Sequence, residues 1–343
     1  MDEPNPILCQ VLRGERVESV HRGSWVLVGP EGTIAGRGRW DLPTLPRSSL
    51  KPLQLLPLFA SGEPARLGLT PEEQAVLVAS HSGDERHVAA VHSVLTKAGL
   101  DEAWLGCGAH DPFDHEATVR LYCGGGRPAR VHNNCSGKHS GMLLRARMLG
   151  APLEGYLDPA HPVQVEIREA IAEVCGVEVR AEEAVIDGCG APMYPMPLDA
   201  LARAFRDLAN PDRLAPRWRD GAAAIVAAVN AAPHYLAGRG RFDTALLEAR
   251  PGRFLAKGGA EGCFALGARA AAAGIPLGLM VKIDDGNKRG YECLVPGLLA
   301  EQGLLDGTEA VLAPFRDSLI MNTQGLVVGR LRPILDADPD PDR

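Results

Sequence analysis

Apolar, β-rich runs bounded by turn residues lie near the two ends of the chain. From about Glu18 to Arg37 two β-rich runs flank Gly29-Pro-Glu-Gly32, the signature of a hairpin. Phe254–Leu266 and Ile275–Ile283 are predicted as adjacent antiparallel strands. Between these ends the apolar spacing turns helical. Thr70 is placed as an N-cap with Pro71 in the first helical position and Glu73 three residues on, so a helix starts there and delivers the chain to Ser80. A second helix runs from about His87 to Ala98, and the spacing predicts others over Glu166–Cys175, Leu198–Leu208 and Arg219–Asn230. The stretch from about Asp101 to Pro162 has no long period and is rich in Gly, His, Asn and Cys, a composition that suggests a site. Together these predict an α/β (α+β) fold, with an antiparallel sheet built from both chain ends, helices, and a loop-rich middle lobe. One domain is expected over residues 1–335, followed by an acidic, proline-punctuated tail over 336–343 that frays.

Composition narrows the function class. The 343 residues carry a net charge of −7 with no clustered basic stripe, which argues against a nucleic-acid surface and for small-molecule chemistry. No run approaches the roughly 20 apolar residues of a membrane span. The first residues show neither a basic nor an apolar leader region, so a cytoplasmic protein is expected. Eight cysteines, at 9, 107, 123, 135, 175, 189, 263 and 293, lack Cys-x-x-Cys spacing, and most are expected to be free and buried. No Gly-x-Gly-x-x-Gly follows a strand, and Cys123-Gly-Gly-Gly lacks the Lys-Ser/Thr end of a phosphate loop.

The chemistry is concentrated in a few polar stretches, led by Arg47-Ser-Ser-Leu-Lys51. A serine and a lysine three apart share one face of a helical turn, so the amine can reach the hydroxyl. A serine hydroxyl is a weak nucleophile until a base removes its proton, and lysine is such a base only when burial or a second cation lowers its pKa. Alone, the motif more often marks a helix start with a solvated lysine. Three further stretches accompany it: Ser80-His-Ser-Gly-Asp84, then His132-Asn-Asn-Cys-Ser-Gly-Lys-His-Ser-Gly-Met142 with Asp187-Gly-Cys-Gly-Ala-Pro192, and Lys257-Gly-Gly-Ala-Glu-Gly262.

In this combination and order the chain resembles the rhizobial-type (type II, class 3) L-asparaginases over nearly its whole length. The resemblance implies a serine beta-lactamase and penicillin-binding-protein-like fold, hydrolysis of the side-chain amide of L-asparagine, and a homodimer. It pairs Ser48 with Lys51 and Ser80 with Lys257 around one substrate. It also implies one zinc ion between Cys135, Lys138 and Cys189. Cysteines so far apart in sequence match no recognised zinc module, and read alone they are buried apolar residues. Two thiolates and an amine would favour zinc over magnesium or calcium.

On this reading Lys51 takes the proton of Ser48, which attacks the amide carbon, while Ser80 and Lys257 relay protons or serve deacylation. Arg47 beside the nucleophile is a candidate for the substrate carboxylate or a plain surface arginine. Glu261 either fixes the strand turn or meets the substrate ammonium. His132 and His139 flank Cys135 as ligands, supporting donors or ordinary loop histidines, with His139 a candidate substrate contact. Three rivals remain: a beta-lactam or peptide-recognising serine hydrolase, a Cys135-dependent amidohydrolase with His132 or His139 as base, and an inactive binding protein on the same scaffold. Against the first, Ser80-His-Ser and Lys257-Gly-Gly stand where Ser-x-Asn and Lys-Thr/Ser-Gly are usual.

Overall fold

The protein is described here by a computed structural model that covers residues 4–336; of the acidic tail expected at 336–343, all but Asp336 lies outside the described residues. The described residues form ten strands: β1 (Ile7–Arg13), β2 (Arg16–Val28), β3 (Thr33–Arg37), β4 (Val185–Ile186), β5 (Pro192–Met193), β6 (Phe254–Gly258), β7 (Cys263–Ala268), β8 (Leu277–Ile283), β9 (Leu319–Met321) and β10 (Val327–Pro333). The chain divides into two compact units, one of residues 1–49, 196–206 and 245–343, the other of residues 50–195 and 207–244.

The first unit is a sheet made from both chain ends, in the order β6-β7-β8-β2-β1-β10-β9 with β3 also on β2, every pairing antiparallel. Its long strand β2 gives its first half to β1 and its second half to β8 and β3. At the changeover sits Gly23, where a Cβ would lie 2.1 Å from the Lys282 carbonyl oxygen. The hairpin expected over 18–37 is there, with residues 29–32 as its turn. The stretch 254–266, expected as one strand, is instead the β6–β7 hairpin. Gly258-Gly-Ala-Glu-Gly262 reverses the chain, and Glu261 and Gly262 both take positive φ (58° and 69°). The helix Lys288–Glu301 covers the sheet, and Cys9, Val11, Cys293 and Leu331 pack together in the core beneath it.

The second unit is helical. Its central helix, Lys51–Ala60, is buried at every position from Lys51 to Phe59, the polar Lys51 and Gln54 included. The helices Ser136–Met148, Pro162–Cys175 and Pro216–Ala231 surround it. The last approaches closely because Gly221 has no side chain, a Cβ there lying 2.6 Å from the Ala60 amide nitrogen. The Thr70 capping box is formed, with Thr70 Oγ1 accepting from Glu73 N and Glu73 Oε2 from Thr70 N, and the helix spans Pro71–Leu77. The next helix, Glu85–Lys97, is capped by Asp84, whose carboxylate accepts the backbone N–H groups of Arg86 and His87. The helices expected near 166–175 and 219–230 are each a few residues longer than their apolar spacing marks.

Candidate active site

Arg47-Ser-Ser-Leu50 forms a 3₁₀ turn. Ser49 fixes it by donating its hydroxyl to the Pro46 carbonyl at 2.6 Å. Ser48 is largely buried, at 9% exposure. The end of the β6–β7 hairpin lies directly on this turn. A Cβ on Gly259 would meet Pro46 O at 3.1 Å and Ser49 N at 3.2 Å, so a side chain there would push the two backbones apart by a few tenths of an ångström. The Cys263 thiol donates to the Leu45 carbonyl at 3.4 Å and ties the hairpin to the same segment. Lys257, on β6, is buried at 1% exposure and donates to its neighbour's carbonyl, Gly258 O, at 2.5 Å.

Arg47 and Glu261 are brought together at 3.6 Å between guanidinium and carboxylate. Both hold positive φ, 52° and 58°, a region that L-residues other than Asn and Asp seldom occupy. Paired strain of this kind, each residue costing on the order of 1–3 kcal/mol, persists where surrounding structure imposes it and clusters at functional sites.

The helical unit holds the remaining expected residues. Lys51 is fully buried, and its Nζ reaches Ala79 O at 2.6 Å, Ser80 Oγ at 3.0 Å and Asn134 O at 3.2 Å. Carbonyl oxygens only accept, so two N–H bonds are committed to Ala79 and Asn134. What remains toward Ser80 is either the third N–H of an ammonium or the lone pair of a neutral amine facing the hydroxyl proton. The amine and the Ser80 hydroxyl are therefore a built acid–base couple, a contact the family motifs do not give. The loop that carries Ser80 is held by Ser80 N donating to Leu236 O at 3.0 Å and Ser82 Oγ to Ala237 O at 2.7 Å.

Cys135, Lys138 and Cys189 are brought together. All three are buried, and Lys138 Nζ donates to Cys189 Sγ at 3.1 Å. The hydrogen bond between the two thiols pulls Cys135 well below the usual thiol range, against burial and helped by the Lys51 and Lys138 charges. The same bond, with burial, pushes Cys189 up. Burial works against a charge on Lys138, but the two sulfurs outweigh it and hold its pKa above the usual lysine value. Close placement follows from Gly137, where a Cβ would lie 2.0 Å from Val76 O, so the helix Ser136–Met148 can press against the Pro71–Leu77 segment. Two sulfur donors and one amine, buried and converging, fit a thiophilic divalent ion such as zinc.

His139 is fully buried and faces Tyr156, with its Nδ1 2.5 Å from the phenol oxygen. That phenol accepts the Gly106 N–H at 2.7 Å, so it donates its proton to His139 Nδ1, and the neutral ring carries its hydrogen on Nε2. Nε2 makes no hydrogen bond among the described residues, a buried donor left for an outside acceptor. Burial, then the charges of Lys138 and Lys51, keep the ring neutral by lowering its pKa far below the usual value. His132 spends its Nδ1 on the Ala129 N–H at 2.9 Å. The Nδ1 atoms of both histidines are thus engaged away from the Cys135 thiol.

Sequence reasoning passed over Asn134 and Tyr156, which act through a carbonyl and a phenol that carry no pattern. It also left His87 without a role. Its i, i+3 spacing to Asp84 at a helix start was the available signal, and His234 lies too far along the chain to be linked to either.

The L-asparaginase II family model matches residues 9–333. The chain belongs to the L-asparaginase II family. Membership makes it an amidohydrolase in class. No curated protein matches the chain. Among solved structures it is similar to a probable glutaminase from Bacillus subtilis complexed with 6-diazo-5-oxo-L-norleucine, at 15% identity and a TM-score of 0.39, over 82% of this chain and 84% of that one. It is also similar to the covalent complex of a Bacillus subtilis glutaminase with 5-oxo-L-norleucine (15%, TM-score 0.40, 82% and 88%) and to a Bacillus glutaminase in 4.3 M NaCl (14%, TM-score 0.41, 82% and 91%). Likenesses this low carry no residue roles to this chain. Among the described residues, no helix is long and apolar enough to cross a membrane.

Proposed function

We propose that this amidohydrolase hydrolyses the side-chain amide of L-asparagine to aspartate and ammonia through a Ser-Lys acyl-enzyme. The observation that carries the proposal is the buried Lys51 amine bonded to the Ser80 hydroxyl at 3.0 Å. A lysine placed this deep, with two carbonyl acceptors and one serine, is equipped to exchange a proton with a hydroxyl rather than to sit in solvent.

In the proposed sequence Ser48 attacks the amide carbon, the role its i, i+3 spacing to Lys51 suggests. Lys51 accepts the proton, with Ser80 as the relay to the leaving ammonia, and Lys257 serves the second Ser-Lys pair. The ester is then opened by water. Arg47 takes the substrate carboxylate, Glu261 the ammonium, and the unpartnered Nε2–H of His139 is a ready donor for a substrate oxygen. Zinc, when held by Cys135, Lys138 and Cys189, would supply a Lewis acid that polarises a bound oxygen. The proposal includes a homodimer in the cytoplasm, which sedimentation velocity and cell fractionation check.

The decisive experiment is ammonia release from L-asparagine, with L-glutamine in parallel, by the wild type and by the Ser48→Ala, Ser80→Ala and Cys135→Ser variants. Loss of at least about 10³-fold in Ser48→Ala with residual turnover in Cys135→Ser is expected. Full activity in Ser48→Ala moves the nucleophile to Ser80 or Cys135. A glutamine rate above the asparagine rate overturns the substrate, since one methylene gives discrimination of only roughly 10–200-fold in either direction.

A further inference from the structure

In the helical unit three side chains converge that none of the proposed chemistry uses: Asp84, His87 and His234. One ligand atom from each lies within 4.8 Å of the others. Asp84 Oδ1 is 2.8 Å from His87 Nδ1, and Asp84 Oδ2 is 2.8 Å from His234 Nε2. His87 is fully buried and Asp84 nearly so, at 7% exposure. The rings of His81, His87 and His234 stack in a row at 5.1 and 4.9 Å between centroids.

The hydrogen-bond inventory of His87 does not close with protein atoms alone. Its Nε2 lies 3.0 Å from the His234 carbonyl, which only accepts, so Nε2 carries the proton. In the neutral ring Nδ1 then holds a lone pair. That atom is buried and forms no hydrogen bond of acceptable geometry, although a carboxylate oxygen is 2.8 Å away. A lone pair beside a carboxylate, both out of water, is a repulsive arrangement that a cation between them resolves. A proton on Nδ1 would turn the contact into an ion pair with Asp84 at 2.8 Å, and a metal ion would take the same place.

We propose that Asp84, His87 and His234 form a second divalent-metal site, built for a first-row ion of the zinc class. Two imidazole nitrogens and one carboxylate oxygen are a donor set such ions favour, at about 2.0–2.2 Å from each atom. The His234 ring takes the Nδ1–H tautomer to free Nε2, so no net proton is released from it. The neighbouring His87 Nε2–H bond to the His234 carbonyl is the outer contact that orients a ligating histidine. The site lies where residues 233–237 meet the loop that carries Ser80, the place already joined by Ser80 N to Leu236 O and Ser82 Oγ to Ala237 O. A bound ion would pin that loop.

The test uses the full-length protein, stripped with chelator and titrated with zinc and, separately, cobalt(II). Two bound ions per wild-type chain are expected. Cobalt at the thiolate site shows intense near-ultraviolet sulfur charge transfer, and cobalt at the second site only weak visible bands. His234→Ala is expected to lose one ion and keep the sulfur bands, and Cys135→Ser to lose the sulfur bands and keep the other ion. Circular dichroism checks that each variant is folded. For a readout independent of any variant, anomalous scattering at the zinc edge from wild-type crystals soaked in zinc should give a peak between Asp84, His87 and His234. No peak there at saturating zinc, or unchanged stoichiometry and spectrum in folded His234→Ala, overturns the proposal.

Discussion

Lys51 donates its amine to the Ser80 hydroxyl at 3.0 Å with both side chains buried, at 0% and 6% exposure. Such a lysine cannot be exchanged for an apolar residue without removing a buried amine from that hydroxyl. Lys51→Met keeps the length and volume of the stem and removes the proton-transfer group. We expect it to fold and to lose about 10²–10⁴-fold in kcat with little change in KM, the signature of a general base. Ammonia release under saturating substrate measures it, and a loss confined to KM would remove Lys51 from the chemistry.

Arg47 and Glu261 give a second prediction, because their ion pair joins two residues that each sit at positive φ. Glu261→Gly removes a strained side chain at φ 58°, where glycine is at ease. The ion pair is partly exposed and contributes at most about 1 kcal/mol. The thermal midpoint is therefore expected to hold or rise, while KM for asparagine rises roughly tenfold through loss of the carboxylate that meets the substrate ammonium. A lowered midpoint with KM unchanged would make Glu261 a turn residue and nothing more.

How far the sequence carries the reading depends on the range of the signal. The β2–β3 hairpin and the Thr70 capping box are local, set by Gly29-Pro-Glu-Gly32 and by a threonine and a glutamate three apart, and both form as the pattern indicates. The sheet shared by both chain ends also follows, since each end carries apolar, β-rich runs bounded by turn residues. The β6–β7 reversal was missed because Lys257-Gly-Gly-Ala-Glu-Gly262 reads equally as an extended strand and as a turn, and only the positive φ at Glu261 and Gly262 decides. For the site, the motifs named Lys51, Ser80, Cys135, Lys138 and Cys189. They could not name the partners of those residues, because Ala79 O, Asn134 O and the Tyr156 phenol are supplied by folding and not by residue type.

His81 provides a pH prediction. Its Nδ1 accepts the Gly83 N–H at 3.2 Å, so its Nε2–H is the donor to Ser136 Oγ at 2.9 Å, and a second ring proton would face another N–H. Burial first, with the Lys51 charge adding to it, holds its pKa far below the usual histidine value. Below about pH 6.5 the unfolded chain takes up this proton and the native chain does not. The stability is therefore fully present above about pH 6.5 and declines as pH falls, by about 1.4 kcal/mol per unit for this one group. Urea unfolding at pH 7.5, 6.0 and 5.0 should show the decline. His81→Asn, which keeps an acceptor and cannot titrate, should make it shallower by about that amount, and an identical slope in the variant would exclude His81 as the cause.

Glu73 offers the last prediction, at a point where capping and helix packing meet. Its carboxylate is buried at 5% exposure, and it accepts from Thr70 N at 2.7 Å, Ser93 Oγ at 2.5 Å and Lys97 Nζ at 2.6 Å, so one group closes the cap of Pro71–Leu77 and joins that helix to Glu85–Lys97. Burial raises its pKa, but the bonds from Lys97, Ser93 and Thr70 outweigh it and leave the carboxyl below its usual value. A depressed carboxyl contributes stability that is present above about pH 4.3 and is lost as pH falls through the folded pKa. Glu73→Ala deletes the reciprocal half of the capping box and strands the Ser93 hydroxyl, and should cost about 2–3 kcal/mol at pH 7. Glu73→Gln keeps the cap acceptor but not the charge on Lys97 and should cost roughly half as much. If both variants unfold at the wild-type urea midpoint, the two helices are held by their apolar faces alone and the carboxylate is incidental to them.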